Sequence, residues 1–146
     1  MAPIPEWRAI LMKKPDLAPL KEPYIHESCQ NELDGMYKDQ LTQTVLKRQT
    51  EKRLKFFYQH ENDFFRYQDF FEPIAKISDG EKVIQYYSWR YNNVRALGNL
   101  RILFVVLNGR PFFLHAFKEQ HGDASYNRAK EVLRKRLSEG KPNDDE

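Results

Sequence analysis

The sequence predicts an α+β fold in which a helical hairpin and a C-terminal helix pack on a small antiparallel sheet. Three observations point there. Residues 36–58 and 124–139 carry apolar side chains at near-helical spacing with no internal Gly or Pro. Two β-branched and aromatic runs flank Asn108-Gly109, the strongest short hairpin signal. The chain has 146 residues, 40% of them hydrophobic, with ten Phe, eight Tyr and two Trp, which is enough apolar surface for one core and too much for a disordered chain.

Residues 1–35 hold five of the eight prolines, Pro3, Pro5, Pro15, Pro19 and Pro23, too closely spaced for a long helix. They read as an N-terminal arm able to pack on the core through Trp7, Ile10 and Leu11. The domain proper is expected over residues 36–140, followed by a frayed tail at 141–146.

Within the domain, Tyr37, Leu41, Val45, Leu54, Phe57 and Tyr58 mark a helix from Met36 to about Tyr58. "ENDFFRYQDFF" (61–71) sets Phe64, Phe65, Gln68 and Phe71 near one face, so a second helix is expected to end by Pro73. The two form a helical hairpin, or one long helix bent near His60–Asn62. Ser78-Asp79-Gly80 is a turn signal, and "KVIQYYSW" alternates as a first strand. "LRILFVVL" is apolar on both faces, as a central strand should be, and "RPFFLHAF" returns antiparallel to it, with Pro111 tolerated at the strand start. "ASYNRAKEVLRKRLSE" aligns Ala129, Val132, Leu133 and Leu137 on one helix face, leaves Arg128, Lys130, Arg134, Lys135 and Arg136 on the other, and stops at Gly140.

The formal net charge of +3 is modest, but its distribution is uneven. From Lys82 to Lys118 there is no Asp or Glu, while Lys82, Arg90, Arg95, Arg101, Arg110 and Lys118 are all cationic. No apolar run reaches bilayer length and the N-terminus lacks the order of a secretory signal, so a soluble cytoplasmic protein with no membrane partner is expected. The single Cys29 excludes an intramolecular disulfide. As a nucleophile it has no evident partner, and its setting reads as a loop.

His26, His60, His115 and His121 are scattered, with no short-spaced carboxylate companions, so neither a metal nor any other cofactor is expected. No phosphate-cradling Gly loop or Ser-elbow motif is present. What remains is the cationic cluster around the hairpin. In a strict two-residue-turn register, facing residues sum to 217, so Arg101 faces Ala116 and shares a side of the sheet with Lys118, while His115 points the other way unless a bulge intervenes. Charged strand ends in water would look the same. The alternative is an anion site, in which guanidinium and ammonium hold a phosphate while imidazole, phenol or ammonium groups move protons.

"NLRILFVVLNGRPFFLHAFKEQ", followed by "NRAKEVLRKRL" with its Ala129, resembles the C-terminal half of the phage-derived, HigB-like toxins of the RelE/ParE superfamily. The likeness spans roughly residues 95–138 and is most specific at "LHAFK", Leu114 to Lys118. It implies a RelE-like fold and a toxin of a type II toxin–antitoxin pair. Such a toxin is usually an endoribonuclease that cuts mRNA on the ribosome without a metal, and it is held by a cognate antitoxin. Carried over by position, the resemblance implies that Arg101 contacts phosphate, that Lys118 stabilises charge or transfers a proton, and that His115 is a further catalytic candidate. Arg90 and Arg95 then contact RNA or the ribosome, with Lys82 and Arg128 on the same basic face. Glu119 stands where the family carries a second Lys, "HGDAS" replaces its Thr-Pro helix entry, and its Trp-Glu-Leu-Arg strand is blurred into "NNVRAL". A non-catalytic member of the same fold acting on a protein such as gyrase, or a phage-related binding module, is the other expectation. Arg101 and Lys118 are expected at exposed strand ends, where replacement by Ala costs little stability.

Overall fold

The computed structural model describes residues 20–120 and 122–140. Strand β1 (Tyr24–Ile25) leads into helices α1 (Glu27–Met36) and α2 (Gln40–Gln59), then strands β2 (Phe71–Asp79), β3 (Lys82–Arg90), β4 (Leu100–Leu107) and β5 (Arg110–Lys118), and helix α3 (Asp123–Ser138). Single 3₁₀ turns, Phe64–Arg66 and Arg95–Leu97, lie before β2 and before β4. The fold is α+β, as expected. Its sheet runs β1-β5-β4-β3-β2.

The sheet is mixed rather than purely antiparallel, because β1 pairs parallel with β5 through Tyr24–Phe112 and Ile25–Phe113. The boundary expected at residue 35 moves accordingly. From Tyr24 onward the proline-rich segment belongs to the sheet domain, whereas Trp7, Ile10 and Leu11 lie outside the described residues. Helix α1 was hidden inside that segment, yet it contains no proline, and Cys29 and Leu33 one turn apart are both buried. His26 caps it by accepting from the Ser28 N–H at 3.1 Å. Asp39 caps α2, accepting from the Thr42 N–H at 2.9 Å and its hydroxyl at 2.8 Å. The helix expected at 36–58 thus breaks into a cap and α2, and Leu41, expected on its apolar face, is 77% exposed.

The second helix expected over 61–71 is not formed. Phe64 and Phe71 instead plug an aromatic cluster, with Phe64 4.7 Å from Phe57 and Phe71 5.0 Å from Trp89, centroid to centroid. Phe71 opens β2, which continues through Pro73. A proline is tolerated there because β2 is an edge strand and its register shifts between Pro73 and Ala75. Strands β3, β4 and β5 and helix α3 fall where the sequence places them, to within a residue or two.

The two faces of the sheet bury separate cores. On one side Leu54 and Phe57 of α2 and Cys29 and Leu33 of α1 cover Trp89, Ile102, Phe104 and Phe113. On the other, Ala129, Leu133 and Leu137 of α3 cover Tyr86, Leu103, Val105, Phe112 and Leu114. This is why β4 is apolar on both faces. Leu133→Ala is expected to destabilise the protein by about 2–5 kcal/mol, read as a lower urea midpoint with an unchanged denaturant slope.

The hairpin register departs from the strict count at one place. From Leu107–Arg110 to Phe104–Phe113 the pairs follow it, but Leu103 pairs with His115 and Arg101 with Phe117, leaving Leu114 as an extra residue. This β-bulge turns every later side chain of β5 to the opposite face. His115 joins the side of Arg101, and Lys118, opposite Leu100, goes to the side of α1 and α2.

Candidate active site

Because β1 is two residues long, it covers only the start of the outer edge of β5, ending where the His26 N–H donates to the Phe113 carbonyl at 2.9 Å. Beyond it, side chains take over. The Arg136 guanidinium of α3 donates to the Leu114 carbonyl at 2.8 Å, and the Ala116 N–H donates to Glu32 Oε1 of α1 at 3.1 Å. Glu32 and Arg136 are themselves joined by two hydrogen bonds, Nη1 to Oε1 at 2.6 Å and Nη2 to Oε2 at 2.9 Å. Such a fork-to-fork pair fixes orientation as well as charge.

His115 completes the group. Its Nδ1–H donates to Glu32 Oε2 at 2.9 Å, and its ring stacks on Phe117 at 5.4 Å with 17° between the planes. Its Nε2 has no hydrogen-bond partner among the described residues. Burial pushes the Glu32 carboxyl up, but hydrogen bonds from His115, Arg136 and the Ala116 N–H outweigh it and hold the pKa at about 2. The result is a carboxylate, charged at neutral pH, that orients an imidazole, the relation of an orienting acid to a general base.

A cleft of about 310 Å³ lies beside this imidazole, between the end of β5 and the start of α3, lined by His115, Phe117, Lys118, Gln120, Ser125 and Arg128. Of the sequence-predicted residues the cleft gathers His115, Lys118 and Arg128. Arg128 is exposed on α3. Lys118 borders the cleft, although its ammonium lies 5.2 Å from the Tyr37 ring centroid on the other side of the sheet.

Arg101 is not where the sequence places it. Its side chain is 5% exposed, its Nε donates to Glu119 Oε2 at 3.2 Å and its Nη1 to the Leu100 carbonyl at 3.0 Å. The bulge separates it from Lys118, and Glu119 neutralises it. Arg90, its cross-strand neighbour, is paired with Glu72 at 2.7 Å and donates to the Gln68 carbonyl at 2.9 Å. Arg95 is exposed in the 3₁₀ turn before β4. Lys82 is exposed at the start of β3, eight residues and therefore about 26 Å of strand from Arg90, at the hairpin-turn end of the sheet. It stands apart from the others.

Glu32 and Arg136 were missed by the sequence reading. Glu32 lies in the supposed arm, and Arg136 was placed on the solvated face of α3. A signal existed for Arg136, which follows Val132 by one helical turn and so flanks the apolar stripe rather than opposing it. Cys29 lies in α1, not in a loop, and burial pushes its thiol well above the usual range, which leaves it unsuited to nucleophilic work. No helix among the described residues is long and apolar enough to cross a membrane.

Compared with protein-family models, with curated proteins and with solved structures, the chain matches none.

Two outcomes follow from the geometry. The Glu32 pKa is lower folded than unfolded, so its contribution is fully present above about pH 4.5 and lost as the pH falls toward about 2. Glu32→Gln should therefore cost about 2–3 kcal/mol in chemical denaturation at pH 7, with the gap to the parent protein closing across that acid range. Arg101→Ala removes one partner of a buried pair and should lower stability by about 3 kcal/mol, or about 6–12 °C in thermal midpoint, well beyond the small cost expected of a strand-end charge.

Proposed function

We propose that the protein is an RNA-cleaving toxin of a type II toxin–antitoxin pair, with its active site in the cleft beside His115. The observation that carries this reading is the Glu32-held imidazole, with Nε2 unpartnered among the described residues, in a cleft that also has Lys118 and Arg128 on its walls. RNA provides its own nucleophile, so an endoribonuclease needs only to align the 2′-hydroxyl, remove its proton, stabilise the pentavalent phosphate and protonate the departing oxygen.

The roles follow from position. His115 Nε2 takes the proton of the 2′-hydroxyl as it attacks phosphorus, and Glu32 stabilises the imidazolium that forms. Arg128 binds the phosphate, whose charge rises in the transition state. The bond from phosphorus to the 5′-oxygen breaks, and the Lys118 ammonium, released from the Tyr37 ring, gives that oxygen a proton. The products are a 2′,3′-cyclic phosphate and a 5′-hydroxyl. Arg101 takes no part in this scheme, which replaces the phosphate contact implied by the family resemblance with Arg128. The substrate is mRNA, with the ribosome as its carrier, and an acidic antitoxin segment docks on the basic surface that Arg95, Lys118 and Arg128 present.

A second reading has its own support. With Arg101 neutralised by Glu119 and Lys118 turned to the other face, the chain could act without catalysis, as a toxin of the same fold that blocks a protein target such as gyrase.

Controlled expression separates the two. Growth arrest with new mRNA 5′ ends by primer extension is expected. His115→Ala should abolish those ends, and Arg128→Ala, at an exposed helix position, should reduce them about 10–100-fold with the thermal midpoint unchanged. Arrest with intact mRNA and altered DNA supercoiling would favour the protein-target reading, and cleavage undiminished in both variants would overturn the site.

A further inference from the structure

A second hollow, of about 600 Å³, opens between α2, the Phe64–Arg66 turn and the loop that follows β3. Arg53 lines it and is 2% exposed. Its guanidinium lies between two rings, 4.7 Å from the centroid of Phe70 and 4.8 Å from that of Tyr91. Nε donates to the Arg90 carbonyl at 2.6 Å, and Nη1 donates to the Gln49 carbonyl at 3.1 Å and to its side-chain oxygen at 2.8 Å. Nη2 has no hydrogen-bond partner, and no carboxylate pairs with the guanidinium among the described residues.

A buried cation without a counter-ion is costly, and the two rings compensate only in part. Burial accordingly lowers the Arg53 pKa from the usual guanidinium value. The walls add to the positive charge. Lys52 and Arg66 line the same hollow, are exposed, and form no ion pair among the described residues, against a single lining acid, Asp69. Tyr67, 37% exposed, offers a ring braced edge-on by Phe56 at 4.7 Å. A neutral or cationic ligand would leave the Arg53 charge uncompensated. An anion carrying a flat apolar group would answer both features of the site.

We propose that this hollow is a nucleotide subsite for single-stranded RNA, taking a backbone phosphate against Arg53, Lys52 and Arg66 and a base against the ring of Tyr67. The proposal rests on the RNA-cleaving reading and extends it, because the loop from the hollow leads to Lys118, which borders the cleft. Asn92, Asn93 and Val94 line the hollow, exposed Arg95 follows, and at Gly98 the backbone comes so close to Lys118 that an added Cβ would lie 3.9 Å from its ammonium. RNA held at Tyr67 is thereby led past Arg95 toward Lys118, which borders the His115 cleft.

The test uses the full chain and a fluorescent 2′-O-methyl oligoribonucleotide, which cannot be cut by internal attack, so that binding is read apart from cleavage. Lys52→Glu with Arg66→Glu, both at exposed positions, should weaken binding at least about tenfold and flatten its salt dependence by about one to two units of slope. Tyr67→Ala should weaken it about 5–100-fold with the slope unchanged. His115→Ala should bind as the parent protein does while failing to cut unmodified RNA. If the double variant binds as tightly as the parent protein, the subsite is overturned while the cleavage reading stands. If the parent protein neither binds the probe nor cuts unmodified RNA, both are overturned.

Discussion

Past the two residues of β1, the outer edge of β5 has no neighbouring strand among the described residues, and the Glu32–Arg136 pair takes that place. One carboxylate oxygen accepts the Ala116 N–H and the guanidinium donates to the Leu114 carbonyl, so the pair continues the hydrogen-bond ladder with side chains. An open edge would leave polar backbone exposed and invite pairing with another chain. The pair also joins α1 on one side of the sheet to α3 on the other, and its carboxylate holds His115 in a fixed orientation. Edge protection, inter-layer attachment and positioning of the imidazole therefore depend on the same two residues.

The bulge at Leu114 sits within that network. An extra residue in β5 leaves a local gap in the pairing with β4, and Arg136 binds the carbonyl of that very residue. The shift it produces redistributes the cations of the hairpin. In the unshifted register Arg101 and Lys118 would have stood together. With the bulge, His115 reaches the side on which the C-terminal helix packs, Lys118 swings toward Tyr37, and Arg101 is left to Glu119. A single inserted residue thus changes which side chains share a face of the sheet.

Charge follows a similar logic. The stretch from Lys82 to Lys118 is free of acids along the chain but not in space, since Glu72 reaches Arg90 and Glu119 reaches Arg101. These pairs are partly or largely buried, where an unpaired cation would be costly, so the folded protein brings acids from outside the stretch to meet them. Among the described residues, cations without such acid partners include Lys118 and Arg128 at the cleft, Arg95 in the turn before β4, and Lys52 and Arg66 by the second hollow.

The sequence by itself determined the elements whose signals are local. Asn108-Gly109 and its flanking apolar runs specify the hairpin, the apolar stripe of α3 specifies its buried face, and both survive intact because turn chemistry and periodicity depend on neighbours a few residues away. Tertiary structure decided the rest. Whether Phe64 to Phe71 become a helix or plug a core depends, beyond the nearby Phe57, on Trp89 and Phe104, which are distant in the chain. Whether a register slips depends on what stabilises the bulge, here an arginine from another element. The candidate site has the same division. His115, Lys118 and Arg128 were legible as residues of the right chemistry, but Glu32 lies 83 positions from His115 and 104 from Arg136. Contacts at that separation leave no periodic trace, so only the packing of α1 and α3 against the edge of β5 could bring the three together.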